Sequence, residues 1–299
     1  MQKIQKLVEI SGHAGAIYTA DGYENVAFTG SGDQFVAKWK LGEGRQDAFA
    51  IKAESAVYSL RLIHQNKQLV FGCSSGDVHV VDLENRQEIK HFTQHKVAIF
   101  SIAENPTKQH VYITDADGNL SVWHSESWKL LILLPLNTGK IRDLVVDESG
   151  KLLFLAGQDG FIRIFDTQRF NELIAFDAHK LGANCCAIFP TKKHLLLTGG
   201  KDGFLRVWNW KDGKQILEIP AHNFGIYTIL FLQDGKSFIT TSRDKSIKFW
   251  DANTLNVLQK IERKHGGHSH AVNAGFKESE TRFVTVGDDK RVIQWEIII

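Results

Sequence analysis

The stretch Asp202-Gly-Phe-Leu-Arg-Val-Trp208 decides the fold, because versions of it recur along the whole chain. Each version begins with a small polar residue, alternates polar and apolar side chains, and ends on Trp, Phe or Val. The copies begin at residues 33, 75, 117, 159, 202, 244 and 289, so neighbouring copies start 42 to 45 residues apart. Such regular spacing indicates a repeated structural unit.

Each unit has the pattern of four short strands. In the sixth unit the expected strands are 226–232, 237–242, 246–251 and 257–261. The turn at 233–236 contains Asp-Gly, which accepts the positive φ of tight turns. No unit has a helix-length stretch with a 3.6-residue apolar period, so we predict an all-β fold.

These residues resemble the Trp-Asp (WD) repeat β-propeller family. Trp250-Asp251 is the family dipeptide, and Gly-His-like pairs such as Gly12-His13 and Ala221-His222 precede many units. The resemblance covers the whole chain. It implies a seven-bladed β-propeller with four antiparallel strands per blade, forming one domain over residues 1–299.

The two ends of the chain are expected to meet in one blade. The last unit ends with a third strand at 295–299, and no fourth strand follows it. Residues 3–10 have the form of a fourth strand that leads into Gly12-His13. We therefore expect this segment to be the outer strand of the last blade, where it removes an exposed sheet edge.

The resemblance also implies a hydrogen-bonded His, Ser/Thr, Asp and Trp network within a blade. The third blade has Ile113 at the hydroxyl position, and blades two and four lack most of the set, so apolar packing is expected to hold those two. A trio that recurs in four blades is structural, not a catalytic triad. The residues carried over are His13, Thr29, Asp33, Trp39, His95, Asp117, Trp123, His179, Thr198, Asp202, Trp208, His222, Thr240, Asp244, Trp250, His268, Thr285, Asp289 and Trp295.

Composition and charge narrow the classes of function and location. The 299 residues are 43% hydrophobic, and 36 Lys+Arg against 34 Asp+Glu give a net charge of +2. A protein that binds duplex nucleic acid usually has a larger basic excess, so we do not expect nucleic acid as a partner. Three Cys without a Cys-x-x-Cys motif favour a cytoplasmic location. There is no apolar run of signal-peptide or membrane-spanning length.

No catalytic residue, cofactor or metal ion is predicted. Ser74 lies in a Gly-x-Ser-x-Gly pattern, but between two strands rather than before a helix, so it is not expected to be a nucleophile. His265, His268 and His270 form either a metal site or a solvated Gly-rich loop. The neighbours Cys185 and Cys186 should face opposite sides of one strand.

The resemblance places protein partners on the face that carries the loops between blades. Exposed positions there follow each His by three or five residues or precede the repeating Asp. Aromatic residues fall on blades one to three and basic residues on blades four to six. The predicted partner-binding residues are Tyr18, Tyr58, Phe100, Lys140, Arg142, Asn184, Lys201, Tyr227, Arg243 and Asn273.

The predicted function is therefore a non-catalytic scaffold or adaptor. Its partner would be a protein or peptide segment with an apolar anchor and an acidic flank. The alternative is an enzyme or small-ligand binder that acts at the central channel. First-strand positions bring one acid, Asp143, which is too few for a general acid–base pair.

Overall fold

The computed structural model describes residues 2–298 and contains seven antiparallel sheets of four strands each. This confirms the predicted all-β, seven-bladed propeller. Met1 and Ile299, the ends of the predicted domain, lie outside the described residues. No helix within the described range is long and apolar enough to cross a membrane.

The blades follow one another along the chain, with the innermost strand first. The first blade comprises β2 (Ile17–Tyr23), β3 (Val26–Ser31), β4 (Phe35–Lys40) and β5 (Arg45–Lys52). The second comprises β6 (Val57–Ile63), β7 (Gln68–Cys73), β8 (Val78–Asp82) and β9 (Gln87–Phe92). The third comprises β10 (Ile99–Asn105), β11 (His110–Asp115), β12 (Asn119–His124) and β13 (Leu130–Pro135).

The remaining blades repeat this order. The fourth comprises β14 (Ile141–Val146), β15 (Leu152–Gly157), β16 (Phe161–Asp166) and β17 (Glu172–Asp177). The fifth comprises β18 (Ala183–Ile188), β19 (Leu195–Gly200), β20 (Phe204–Asn209) and β21 (Lys214–Pro220). The sixth comprises β22 (Ile226–Leu232), β23 (Ser237–Ser242), β24 (Ile247–Asp251) and β25 (Val257–Ile261). The seventh comprises β26 (Val272–Lys277), β27 (Arg282–Gly287), β28 (Arg291–Ile298) and β1 (Lys3–Ser11).

The last blade closes through its pairing with the N-terminal strand, as predicted. Strand β1 pairs antiparallel with β28 from Lys3 opposite Ile298 to Ser11 opposite Arg291. Arg291 also forms an ion pair with Glu9 at 3.0 Å. The Gln259 side chain of blade six donates to the Ile4 carbonyl oxygen and accepts from the Ile4 N–H. The closing strand is therefore held both by its own blade and by the blade before it.

Apolar residues fill the gaps between neighbouring blades. Trp39 packs against Val284 between blades one and seven, and Trp250 packs with Leu205 between blades six and five. Each gap has its own buried cluster of this kind in the described chain. Burial between sheets is the main favourable contribution to such a fold.

A hydrogen-bond relay crosses the interior of four blades. In blade six the Trp250 Nε1–H donates to Thr240 Oγ1 at 2.9 Å, and Thr240 Oγ1 lies 2.8 Å from His222 Nε2. His222 Nδ1 lies 2.9 Å from Asp244 Oδ2. Burial lowers the pKa of His222, which favours the neutral form of its ring. The corresponding groups of blades one, five and seven make the same bonds.

The third blade uses two residues that the sequence analysis did not select. Its His95 is bonded to Asp115 at 2.7 Å, not to the predicted Asp117, which lies exposed in the turn. The missing hydroxyl is supplied by Ser121, which accepts from Trp123 Nε1 and lies 2.8 Å from His95. Ser121 pairs directly with Ile113 on the adjacent strand, so it can place its oxygen near the position that Thr occupies elsewhere.

Blades two and four have apolar side chains at the relay positions. Phe71 and Val81 belong to the cluster between blades one and two. Leu155 and Phe165 belong to the cluster between blades three and four. Dispersion and burial thus replace the hydrogen bonds at these positions.

Two aspartates on inner strands tie neighbouring blades together. Asp21 accepts from the Leu62 N–H at 3.0 Å, and Asp143 accepts from the Cys186 N–H at 3.0 Å. Burial raises the pKa of Asp143 to about 6, and the charge of Arg61 opposes that shift. The carboxylate of Asp143 therefore costs stability at neutral pH although its hydrogen bond is well placed.

Replacing Thr240 by Val should destabilise the protein by about 3 kcal/mol, because two buried nitrogens lose their partner. The adjacent Thr241 provides the matched control, since its buried Oγ1 has no hydrogen-bond partner. We expect Thr241→Val to change the free energy of unfolding by less than about 0.5 kcal/mol. Urea denaturation of both variants measures the difference, and equal losses would contradict the relay.

Replacing Asp143 by Asn should stabilise the protein by about 1–2 kcal/mol at pH 7. The folded carboxyl has a pKa of about 6, whereas the unfolded value is about 4, so stability falls as the pH rises between these values. Denaturation at pH 4 and pH 7 should therefore show the gain only at the higher pH. Asp21→Asn, at the other tie, is the control and should bring no gain. A gain of equal size at both pH values would contradict this explanation.

Candidate functional site at the channel mouth

The mouth of the central channel is formed by β-bulges in the seven innermost strands. In β2 the pairing with β3 shifts between Ile17 and Thr19, which leaves Tyr18 as the extra residue. A bulge turns its extra side chain away from the regular alternation of the strand. Every inner strand has its shift at the same point, and the extra residues are Tyr18, Tyr58, Phe100, Arg142, Asn184, Tyr227 and Asn273.

Three of these side chains form an aromatic ladder on blades one to three. The Tyr18 and Tyr58 rings meet edge to face with their centroids 4.8 Å apart, and the Tyr58 and Phe100 rings are stacked at 5.5 Å. All three are half-buried, so each ring keeps a surface open to solvent. The ladder offers a rigid apolar surface for an inserted side chain.

Two cations from blade four lie against the end of this ladder. Lys140 Nζ is 4.7 Å from the Phe100 ring centroid, and the Arg142 guanidinium is 5.3 Å from the same ring and 5.9 Å from that of Tyr227. These are cation–π distances. Neither cation forms an ion pair with any residue that the structure describes.

The electrostatics of this corner favour an anion. Removal from bulk water lowers the pKa of Lys140, and the charges of Arg142 and Lys201 lower it further. Desolvation also lowers the pKa of Arg142. Positive charges that are partly desolvated and lack a counter-ion gain most from a ligand carboxylate or phosphate.

Four of the predicted partner-binding residues do not join this cluster. Asn184 is only 6% exposed and donates to the Ile226 carbonyl oxygen at 3.0 Å, so it ties two blades together. Asn273 likewise donates to the Ile17 carbonyl oxygen and to Asp288. Both amides are therefore occupied by the protein itself. Lys201 and Arg243 are exposed, but they lie outside the lining of the channel.

The channel below the mouth is a cavity of about 1320 Å³. Its wall runs from Tyr18 and Arg142 past Asp143 to Lys193 and Trp210. Asp288 also lines the mouth. Burial of Tyr18 raises the pKa of its phenol, and the charges of Tyr58 and Asp288 raise it further. Asp288 immediately precedes the repeating Asp289, but the sequence patterns did not select it as a partner-binding residue.

The remaining motifs serve the fold. His268 belongs to the relay of blade seven, while His265 Nδ1 accepts from the Glu262 N–H and His270 bonds to Ser269. No group of three potential ligand side chains converges within residues 2–298. Cys185 and Cys186 pack into different clusters on opposite faces of their strand, as predicted, and burial raises both pKa values. Ser74 lies in a turn between strands.

Comparison with known families identifies the repeat. The WD domain, G-beta repeat family matches residues 86–124, 170–209 and 213–251. Each matched segment begins near the outer strand of one blade and ends on the third strand of the next. The same offset between repeat and blade explains why β1 belongs to the seventh blade.

Several relatives with similar sequences carry the WD repeat in their names. The chain is 24% identical over 279 residues to WD repeat-containing protein 55 of Rattus norvegicus, covering 92% of this chain and 72% of the relative. Its identity to the Bos taurus protein of that name is 23% over 288 residues, covering 94% and 75% of the two chains. A Periodic tryptophan protein 2 homolog of Dictyostelium discoideum is 27% identical over 127 residues, which cover 41% and 14%.

These matches agree with the architecture at every level. The matched segments end on the third strands of blades three, five and six, which contain Trp123, Trp208 and Trp250. The other blades repeat the same four-stranded unit and close the ring. The chain is therefore a seven-bladed β-propeller that carries WD repeats at residues 86–124, 170–209 and 213–251.

Proposed function

We propose that this protein is a non-catalytic interaction scaffold whose channel mouth binds a segment of a partner protein. The segment would insert an apolar side chain against Tyr18, Tyr58 and Phe100 and place acidic residues against Lys140 and Arg142. The observation that carries the proposal is the pair of unneutralised cations stacked on the end of the aromatic ladder. WD-repeat propellers serve generally as platforms for protein interactions, which agrees with this use of the mouth.

The geometry of the mouth favours binding because little has to be ordered when a ligand arrives. The bulges fix the direction of each side chain, and cation–π contacts hold Lys140 and Arg142 over Phe100. A preorganised surface loses less conformational entropy on association than a flexible one. Burial of one large apolar anchor would contribute about 2 kcal/mol, and the carboxylates would add charge-assisted hydrogen bonds.

The alternative use of the channel, for catalysis or a small ligand, has less support. Its most perturbed acid, Asp143, already accepts a hydrogen bond from the Cys186 N–H. An acid engaged in this way connects two blades and is a poor candidate for transferring protons. The three Cys are free thiols in buried positions, which agrees with the proposed cytoplasmic location.

The triple variant Tyr18→Ser, Tyr58→Ser, Arg142→Glu should lose specific partners while its blades remain folded. The change removes two rings of the ladder and reverses one charge at half-buried or exposed positions. Tagged full-length protein from cells of the source organism would be compared with wild type by quantitative mass spectrometry. We expect the principal co-purifying proteins to fall by about tenfold or more.

A control variant makes the same kinds of change far from the mouth. Ile216 and Leu217 are 55% and 42% exposed on an outer strand, and Arg169 is exposed in a turn. Ile216→Ser, Leu217→Ser, Arg169→Glu should keep the wild-type partners. Circular dichroism must show β structure in both proteins. An unchanged set of partners for a folded mouth variant would refute the proposed site.

A further inference from the structure

A ridge of alternating apolar and cationic side chains lies on blades five and six beside the channel mouth. Leu181 and Phe224 are the most exposed large apolar residues in the described chain, at 62% and 56%. Lys201 and Arg243 are exposed and follow them in the next turns. We call Leu181, Lys201, Phe224 and Arg243 the blade five–six ridge. The sequence analysis predicted Lys201 and Arg243 as partner-binding residues but did not select Leu181 or Phe224.

Within each of the two blades, a backbone hydrogen bond connects the loop of the apolar residue to the turn of the cation. The Lys201 N–H donates to the Gly182 carbonyl oxygen at 2.9 Å, directly after Leu181. The Arg243 N–H donates to the Gly225 carbonyl oxygen at 3.0 Å, directly after Phe224. The Arg243 guanidinium also lies 5.9 Å from the Phe224 ring centroid. The exposed apolar side chains therefore stand on fixed loops.

The ridge is specific to these two blades. The positions that correspond to Leu181 and Lys201 hold Gly15 and Gly32 in blade one, and Val97 and Ala116 in blade three. Neither of those blades offers a large apolar side chain beside a cation. Compared with the equivalent loops of blades one and three, the loops of blades five and six are therefore both apolar and basic.

The charge around the mouth is positive at blades five and six and negative at the junction of blades seven and one. Lys201 and Arg243 form no ion pair with the residues described, and Lys201 is near enough to Lys140 to affect its ionisation. In blade seven, which directly follows blade six in the ring, Asp288 stands close to Tyr18. An acidic chain leaving the mouth is attracted towards blades five and six and repelled from the junction of blades seven and one.

We propose that the bound segment leaves the channel mouth across blades five and six as an acidic stretch whose apolar residues pack on Leu181 and Phe224. This rests on the proposed function and specifies the direction and chemistry of the bound protein segment. The unpaired cations provide charge complementarity, and the neighbouring apolar pair favours a protein chain over a bare polyanion. Nucleic acid is then an outcome of the test that counts against the proposal.

The first experiment selects ligands from a displayed library of short random peptides on immobilised full-length protein. We expect enriched peptides to combine an apolar anchor with a second acidic and apolar stretch. The affinity of the consensus peptide is then measured by fluorescence anisotropy. Poly-uridine RNA and single-stranded DNA serve as polyanion probes. Enrichment of basic peptides, or tighter binding of either nucleic acid than of the consensus peptide, would overturn the proposal.

Two ridge variants separate the apolar and ionic contributions to peptide binding. Leu181→Ser, Phe224→Ser should weaken the consensus peptide by about tenfold, and Lys201→Glu, Arg243→Glu should weaken it at least as much. The apolar control is Ile216→Ser, Leu217→Ser on the outer strand of blade five. The charge control is Lys214→Glu, Lys236→Glu, which changes the net charge equally at exposed positions elsewhere. Both controls should bind as wild type does.

A mouth variant, Tyr58→Ser, Arg142→Glu, distinguishes failure of this inference from failure of the proposed function. Loss of affinity in the mouth variant alone would overturn the ridge and leave the mouth in place. Loss in the ridge variants alone would overturn the mouth as the anchor site. Unchanged affinity in both, or the absence of any enriched peptide, would overturn both. Loss of peptide affinity in both the mouth variant and the ridge variants, with the control variants unchanged, supports binding at the mouth and across blades five and six.

Discussion

The buried hydrogen bond between a loop histidine and a turn aspartate organises the face on which this protein is proposed to work. In blade one Asp33 accepts from His13 and also from the Ala14 N–H at 2.8 Å, and in blade seven Asp289 accepts from the Ser269 N–H at 2.8 Å. The carboxylate thereby attaches the loop between blades to the turn beside it. The His ring is buried, and its Nε2 is bonded to the Thr hydroxyl that also accepts from the Trp Nε1–H. The loop that carries the His is therefore held rigidly against the core.

The hydrogen-bond relay that stabilises a blade and the side chains presented at the channel mouth are distributed differently among the blades. Blade four has Asn137 and Phe165 where the five blades with a relay have His and Trp, and it is the blade that presents Lys140 and Arg142. Blade five keeps the complete relay and carries Leu181 and Lys201 on loops that the relay holds. Because each blade packs against its neighbours, a blade that lacks the hydrogen-bond relay can still be held in place by apolar contacts. Blade four can therefore carry binding residues without a relay, because its contacts with the neighbouring blades stabilise it.

Much of the architecture could be predicted from the sequence because each blade repeats the same spacing. The strands expected for the sixth blade agree with the structure except that the third begins at Ile247, and the closing strand extends one residue further, to Ser11. Counting from each His also found the bulged residues, since the bulge lies at a constant distance from the loop. The position of the aromatic ladder follows from that count.

The features that the sequence did not predict depend on contacts between strands and loops. Asp115 replaces Asp117 because Asp115 ends β11 inside the blade, and a linear motif cannot show which of two nearby carboxylates turns inward. Asn184 and Tyr227 occupy equivalent places, yet the amide can reach the Ile226 carbonyl of the next blade and the phenol ring does not. Exposure of Leu181 and Phe224 likewise depends on the neighbouring loops. Such facts are properties of the assembled ring.

The pairing of β1 with β28 has a consequence for biosynthesis. The ribosome makes β1 before the other described strands and β28 after them, so the ring cannot seal until both strands have emerged. Until then β1 and the inner strands of blade seven have open edges. A nascent chain in this state depends on prompt release or on a chaperone to prevent pairing with strands of neighbouring polypeptides.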